Sequence, residues 1–328
     1  MRAFSKIAKT TAALGALTLA LTGCGAGEDS ASGGKGEIDI AVFSGWEESI
    51  ATSELWRNIL EKKGYDVNLE YADAAPAFSG LSTGDYDFTT DVWLPKTHAS
   101  YIEEYGDSLE KLGTWYDEAK LTIAVNADAD IESLTELSEK SEMFNNRLIG
   151  IEPGAGLTKT TQEDVIPAYN LQEMEYVTSS TPAMLQELKT ALENDENIVV
   201  TLWRPHWAYS AFDIKDLKDP KDALGGTETI SSYGREGFSK DFPQVAEWLG
   251  DFKMSADRLA DLENEVFNIG KGEDEDDYSK LVDQWVEKNQ DWVDSLTEED
   301  SDEQKSSDQP SGASDQPSAK EEDTKSSS

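Results

Sequence analysis

The chain has 328 residues, of which 38% are hydrophobic, and carries 28 Lys+Arg against 67 Asp+Glu for a formal net charge of −39. That balance excludes electrostatic capture of nucleic acid or of an anionic membrane surface. A single cysteine, Cys24, excludes an intramolecular disulfide.

Arg2, Lys6 and Lys9 form a basic start, followed from Thr10 to Leu21 by Ala, Leu, Gly and Thr. The run is too short for a stable membrane span and predicts a secretory signal over 1–23. It ends in Leu21-Thr22-Gly23-Cys24, which resembles the lipobox of bacterial lipoproteins and predicts cleavage before a lipidated Cys24. Lys and Arg less the three of the leader leave 25 against 67 acids, so the processed chain stands at −42. Such a surface suits high external salt, where the charges are screened. Residues 24–36 are small and polar and read as a flexible linker. From 297 to 328 the chain is Ser, Asp, Glu, Lys, Gln and Pro, a composition that predicts a disordered acidic tail.

Between them, strand-like runs alternate with helical periodicities, predicting an α/β fold. Ile38–Val42 reads as a strand, Glu48–Lys63 as an amphipathic helix stopped by Gly64, and Asp66–Tyr71 as a second strand. A short helix, Pro76–Thr83, leads through Gly84–Asp87 to a strand, Phe88–Val92. Leu121–Val125 is the expected first crossover to a second lobe. That lobe contains a strand at Leu148–Ile151, the turn Gly154-Ala155-Gly156, a helix from Leu157 and a helix N-capped by Thr181 with Pro182 at its first position. Asn197–Leu202 is a strong buried strand, and the chain returns near Thr229 to close with helices over 243–253, 256–268 and 276–295. The expected architecture is two-lobed and periplasmic-binding-protein-like (type II), with lobe 1 over 37–125, lobe 2 over 126–225, a return to lobe 1 over 226–296, and a ligand cleft between lobes that closes around its ligand.

Three tryptophans follow strand-like runs in turn-rich settings: Trp46 after Gly45, Trp93 before Leu94-Pro95, and Trp203 before Arg204-Pro205. Rings at strand ends face the sheet edge, where open α/β folds bind ligands, and three electron-rich faces form a cage for an organic cation. Trp248, Trp285 and Trp292 lie at amphipathic helical positions and read as core. No His/Cys cluster, His-Glu-x-x-His, Gly-x-Ser-x-Gly or Walker loop is present, so no catalytic residue, metal site or cofactor is predicted. The only histidines, His98 and His206, both sit within five residues of a cage candidate; chemistry leaves each either structural or ligand-binding. Gly154-Ala155-Gly156-Leu157 at a helix start is either a tight connection or a carboxylate site built from free N–H groups. Cage plus carboxylate site would specify a zwitterion.

At these residues the chain resembles the glycine betaine/proline betaine-binding lipoproteins of osmoprotectant ABC transporters. The likeness runs from Ile38 to about Trp292. It is carried by Gly45-Trp46-Glu47-Glu48-Ser49-Ile50-Ala51, Asp91-Val92-Trp93-Leu94-Pro95-Lys96-Thr97-His98, Leu112-Gly113-Thr114-Trp115-Tyr116, Gly150-Ile151-Glu152-Pro153-Gly154-Ala155-Gly156-Leu157 and Val200-Thr201-Leu202-Trp203-Arg204-Pro205-His206-Trp207. The resemblance implies a prism of Trp46, Trp93 and Trp203 around a trimethylammonium. It also implies a carboxylate held by the N–H groups of Gly156 and Leu157 and by His98. His206, Trp207 and Arg204 are left as surrounding residues; Leu202 and Arg204 depart from the small Gly-Trp-Ser/Thr-Pro-His segment of many members. Glycine betaine or proline betaine, an ABC permease with its ATPase subunit, and the membrane through the lipid anchor are the implied partners. The implied location is the extracytoplasmic face of the cell membrane. Choline, carnitine, ectoine or a sulfonium analogue is the same-class alternative, and an extracytoplasmic enzyme or adhesin the different-class one.

Overall fold

The computed structural model describes residues 35–269 and 278–298. The predicted leader, Cys24, nearly all of the linker and the tail beyond 298 lie outside the described residues. No helix among the described residues is long and apolar enough to cross a membrane.

Among the described residues nine strands form a mixed sheet: β1 (Glu37–Phe43), β2 (Asp66–Ala72), β3 (Phe88–Leu94), β4 (Leu109–Asn126), β5 (Arg147–Ile149), β6 (Glu175–Val177), β7 (Val199–Arg204), β8 (Ile214–Asp216) and β9 (Glu228–Arg235). Their order is β2-β1-β3-β9-β4-β7-β5-β6, with β8 also on β4. The architecture is the expected two-lobed α/β fold, and β4 is its longest strand. Its first part, Leu109 to Ala119, pairs antiparallel with β9, and from Lys120 onward it pairs with β7 and then β8. Between Ala119 and Lys120 the strand therefore exchanges one partner for another. Three register shifts against β9, between Lys111 and Ala119, break the alternation of the first part. For that reason period-two patterning reveals only the stretch from Leu121, where the burial is continuous.

The helix α1 (Glu47–Lys62) carries its apolar stripe inward as expected, with Ala51, Leu55, Trp56, Ile59 and Leu60 all buried. Its other face is buried as well. Ser49 Oγ accepts the N–H of Phe43, Thr52 Oγ1 shares a hydrogen bond of 2.7 Å with Thr90 Oγ1, and Asn58 donates to Asp283. The polar face is thus an internal one whose groups find partners in β1, β3 and the helix Tyr278–Lys288. Gly84, with φ +79, closes α2 (Ala74–Thr83), and the chain then turns into β3.

Two details differ from expectation. Ser180, not Thr181, caps the helix Thr181–Glu193 by accepting the Ala183 N–H, and Thr181 instead donates its N–H and hydroxyl to Glu152. The C-terminal helix is broken at Asn289 into Tyr278–Lys288 and Gln290–Ser295. Trp248 and Trp285 are buried, as their amphipathic positions predict, and Trp292 packs partly buried against Trp285.

The helix Pro243–Asp251 lies so close to β4 that a Cβ on Gly113 would sit 2.4 Å from the Leu249 carbonyl oxygen. That contact is backbone and cannot rotate away. Gly113→Ala is expected to cost about 1–3 kcal/mol of unfolding free energy, read as a lowered denaturant midpoint.

Candidate functional site

The three tryptophans reach one place from different elements. Trp46 follows the turn at Gly45 (φ +81) and sits at the N-cap of α1, Trp93 is the penultimate residue of β3, and Trp203 is the penultimate residue of β7. All three are buried, and they line a single cavity with an empty volume of ≈ 290 Å³. Glu48, Thr97 and the turn Ala155-Gly156-Leu157 complete the wall, with Leu121 and Ile151 as its remaining apolar lining. Trp46 and Trp93 stand beside the paired strands β1 and β3, and Trp203 and the glycine turn beside the paired strands β5 and β7.

The glycine turn delivers two free donors. Gly156 and Leu157 open a helix that runs on through Tyr169, and the N–H groups of both lack an acceptor among the described hydrogen bonds. Only glycine fits at position 156, because a Cβ there would lie 2.1 Å from the Thr97 carbonyl oxygen across the cleft. The Thr97 loop is itself pinned: Glu228, at the start of β9, accepts the N–H groups of Lys96 and Thr97 at 2.8 Å and the Thr97 hydroxyl. Tyr101 ties the same loop region to the turn by donating to the Gly154 carbonyl at 3.0 Å.

His98 is fully buried and stacks on Trp46, with centroids 5.5 Å apart and planes 11° from parallel. Its Nδ1 accepts the Trp93 backbone N–H at 3.0 Å, which places the ring proton on Nε2. That Nε2–H is buried without a partner. Burial pushes the imidazole down to about 3, so it is a neutral donor at physiological pH.

His206 is also buried; its Nδ1 accepts the Ala208 N–H and its Nε2 lies 3.3 Å from Glu47 Oε2. Trp207 donates its backbone N–H to Glu263 and its indole N–H to Glu47. Arg204 turns away from the cavity, pairing through Nε with Asp216 at 2.8 Å and lying 3.4 Å above the Tyr209 ring. Asp216 lies on β8, a strand that three residues are too few to reveal, and Tyr209 on the short helix Ala208–Ala211.

Sequence reasoning missed the acids of this site. Glu48, Asp91 and Glu152 each accept one cage indole N–H, at 3.0, 2.7 and 3.5 Å. The one available signal is Asp91-x-Trp93, whose spacing of two puts both side chains on one face of β3. Among the described residues no group of His, Cys, Asp and Glu is placed to hold a metal ion.

Comparison with known proteins decides the family. Residues 36–288 match the substrate-binding domain of ABC-type glycine betaine transport systems. The chain belongs to this family. Its members are transport binding proteins and not enzymes. The chain is 34% identical over 168 residues to the glycine betaine/carnitine transport binding protein GbuC of Listeria monocytogenes, an alignment covering 49% of this chain and 54% of that protein. The match thus spans about half the length of that relative. Among solved structures, lactococcal OpuAC in its closed, glycine betaine-bound conformation matches with a TM-score of 0.72 at 28% identity, covering 80% of this chain and 99% of that one. The glycine/betaine/L-proline-binding protein ProX of Borrelia burgdorferi matches at 0.74 and 29%, covering 80% and 97%. A choline-binding protein in complex with choline, at 0.71 and 22% identity, shares the fold.

The pKa of His98 sets a pH signature. The unfolded imidazole takes up a proton near 6.5, whereas the folded one resists protonation down to about 3. This group therefore leaves stability untouched above the unfolded value and removes stability as the pH falls from there toward the folded one. Between about pH 7 and pH 4 the wild type should lose more melting temperature than His98→Gln, as followed by circular dichroism.

Proposed function

We propose that this chain captures glycine betaine, or the related proline betaine, on the extracytoplasmic side and delivers it to the permease and ATPase subunits of an ABC transporter. The carrying observation is that one cavity is lined by three tryptophans together with Gly156 and Leu157, whose N–H groups lack an acceptor among the described hydrogen bonds. In this reading Trp46, Trp93 and Trp203 surround the trimethylammonium. Gly156, Leu157 and the unpartnered Nε2–H of His98 hold the carboxylate, while His206, Trp207 and Arg204 support the surroundings. Each cation–π contact contributes about 0.5–2 kcal/mol, and each hydrogen bond to a charged group about 1.5–3 kcal/mol. Together they support micromolar capture, which needs about 8 kcal/mol. Choline has no carboxylate and would leave three buried donors unpaired, which favours a betaine.

The cage draws on both lobes, so closure completes it. We read the hinge at the two places where the chain passes between lobes: the partner exchange of β4 at Ala119–Lys120 and the segment between β8 and β9. Cleavage before Cys24 and its lipidation would then hold the protein at the outer face of the cell membrane.

Titration of tryptophan fluorescence with glycine betaine, proline betaine, choline and ectoine tests the reading; a flat response to all four would sink it. Trp93→Ala and Trp203→Ala should each weaken betaine binding roughly tenfold or more, the loss of one or more kcal/mol per ring, whereas Trp248→Ala should leave the affinity of folded protein unchanged. For the anchor, wild-type protein should partition with membranes and Cys24→Ala should not. Equal partitioning of the two would rule the lipid attachment out.

A further inference from the structure

The cage rings are tethered by their edges to negative charge. Trp93 donates its indole N–H to Asp91 Oδ1 at 2.7 Å, and Trp203 donates its own to Glu48 Oε2 at 3.0 Å. Asp91 is fully buried, and its second oxygen, Oδ2, has no partner at all. Glu48 is buried and lines the cavity itself. The third tether, Trp46 to Glu152, is longer at 3.5 Å, and Glu152 is already committed to the N–H and hydroxyl of Thr181. The charged and titratable groups acting on Asp91 and Glu48 are each other, Glu47 and Glu263, with His206 facing Glu47. Among the described ion pairs, no Lys or Arg pairs with any of these four acids.

Carboxylates buried without a cation are costly, and a fold that keeps them gains from a cation arriving later. We propose that Asp91 and Glu48 are specificity-determining positioning residues of the cage: they hold the planes of Trp93 and Trp203 by the ring N–H, and they supply the buried negative charge whose missing partner is the ligand's ammonium. The inference rests on the betaine reading above. Its physical basis is twofold. An indole that donates to a carboxylate has a more electron-rich face, which strengthens its attraction for a cation. The carboxylate charge itself acts through a medium that screens poorly.

Titration sets when that charge is present: without a cation burial favours the protonated acids, and an ammonium beside them would favour the charged form. Burial first, then repulsion from its neighbours, holds Glu48 well above the usual carboxylate range; burial does the same for Asp91, pushing it up to about 7. A folded value above the unfolded one means stability that is present at acid pH and lost as the pH rises through the folded value. Without a cation, ionised Asp91 is therefore a burden on the folded protein at alkaline pH. Neutralising it should stabilise the ligand-free protein while weakening capture.

The test uses the full chain carrying Asp91→Asn or Glu48→Gln, both of which keep an oxygen for the indole N–H and remove the charge. Binding is measured by calorimetry for glycine betaine and for 3,3-dimethylbutanoate, which has the same shape and carboxylate but a carbon in place of the ammonium nitrogen. The wild type should prefer betaine, and each variant should shrink that preference roughly tenfold or more, with the loss falling on betaine. Ligand-free Asp91→Asn should also melt higher than wild type at about pH 8. An unchanged preference, with both ligands weakened equally or not at all, overturns the proposal and leaves the acids a packing role. Should Asp91→Asn fail to fold, Glu48→Gln at the cavity wall decides by the same ratio. A wild type that binds neither ligand overturns the betaine reading, and this inference with it; a wild type that prefers betaine, with unchanged variants, overturns the inference alone.

Discussion

Three indole rings can turn their faces to one cavity only if their polar edges are satisfied elsewhere. A buried ring N–H without an acceptor is destabilising, so the orientation of the cage is set by where its acceptors lie. Here every acceptor is the side chain of an acidic residue, and two of the tethers join segments more than 100 residues apart. Trp203 on β7 reaches Glu48 on α1, and Trp46 beside α1 reaches Glu152 beyond β5. The same contacts that orient the rings therefore hold these distant segments against each other. The closeness of Gly156 to Thr97 and the bond from Tyr101 to Gly154 add to that seam.

The sheet makes this meeting possible. A long strand that changes partners partway along lets two lobes share a continuous backbone while their outer strands stay separate. β3 and β7 flank this strand's two partnerships, β3 through β9 and β7 directly, so their penultimate tryptophans project toward a common region. Glu228 then joins the return of the chain to the loop that carries Thr97 and His98. The loop that faces the glycine turn thus depends on a residue 131 positions from Thr97 in sequence.

Much of the fold is legible locally because burial imposes periodicity. The apolar stripe of α1, the alternating and continuous strands at Ile38, Phe88 and Asn197, and the glycine stops at Gly64 and Gly84 all carry their signals within a few residues. Where the signal fails, the reason is physical. The bulges in the first part of β4 scramble its alternation, and β6 and β8 are only three residues each. In the first turn of α1, Glu47 and Glu48 look like solvent-facing complements to the helix dipole, yet both are buried. With 67 acids in the chain, nothing local separates the few that are interior.

By itself the sequence determined the class of chemistry: strand-end tryptophans, a glycine turn opening a helix, two histidines and no catalytic or thiol machinery. Residue type and immediate neighbours carry that information. Only the tertiary structure decided which groups face one another. It left His98 with a free Nε2–H, turned Arg204 away toward Asp216 and Tyr209, and set Asp91 and Glu48 at the indole N–H edges. Burial and pairing are properties of distant segments brought together, and a carboxylate becomes part of a cation site only when the fold removes water and every other counter-charge from around it.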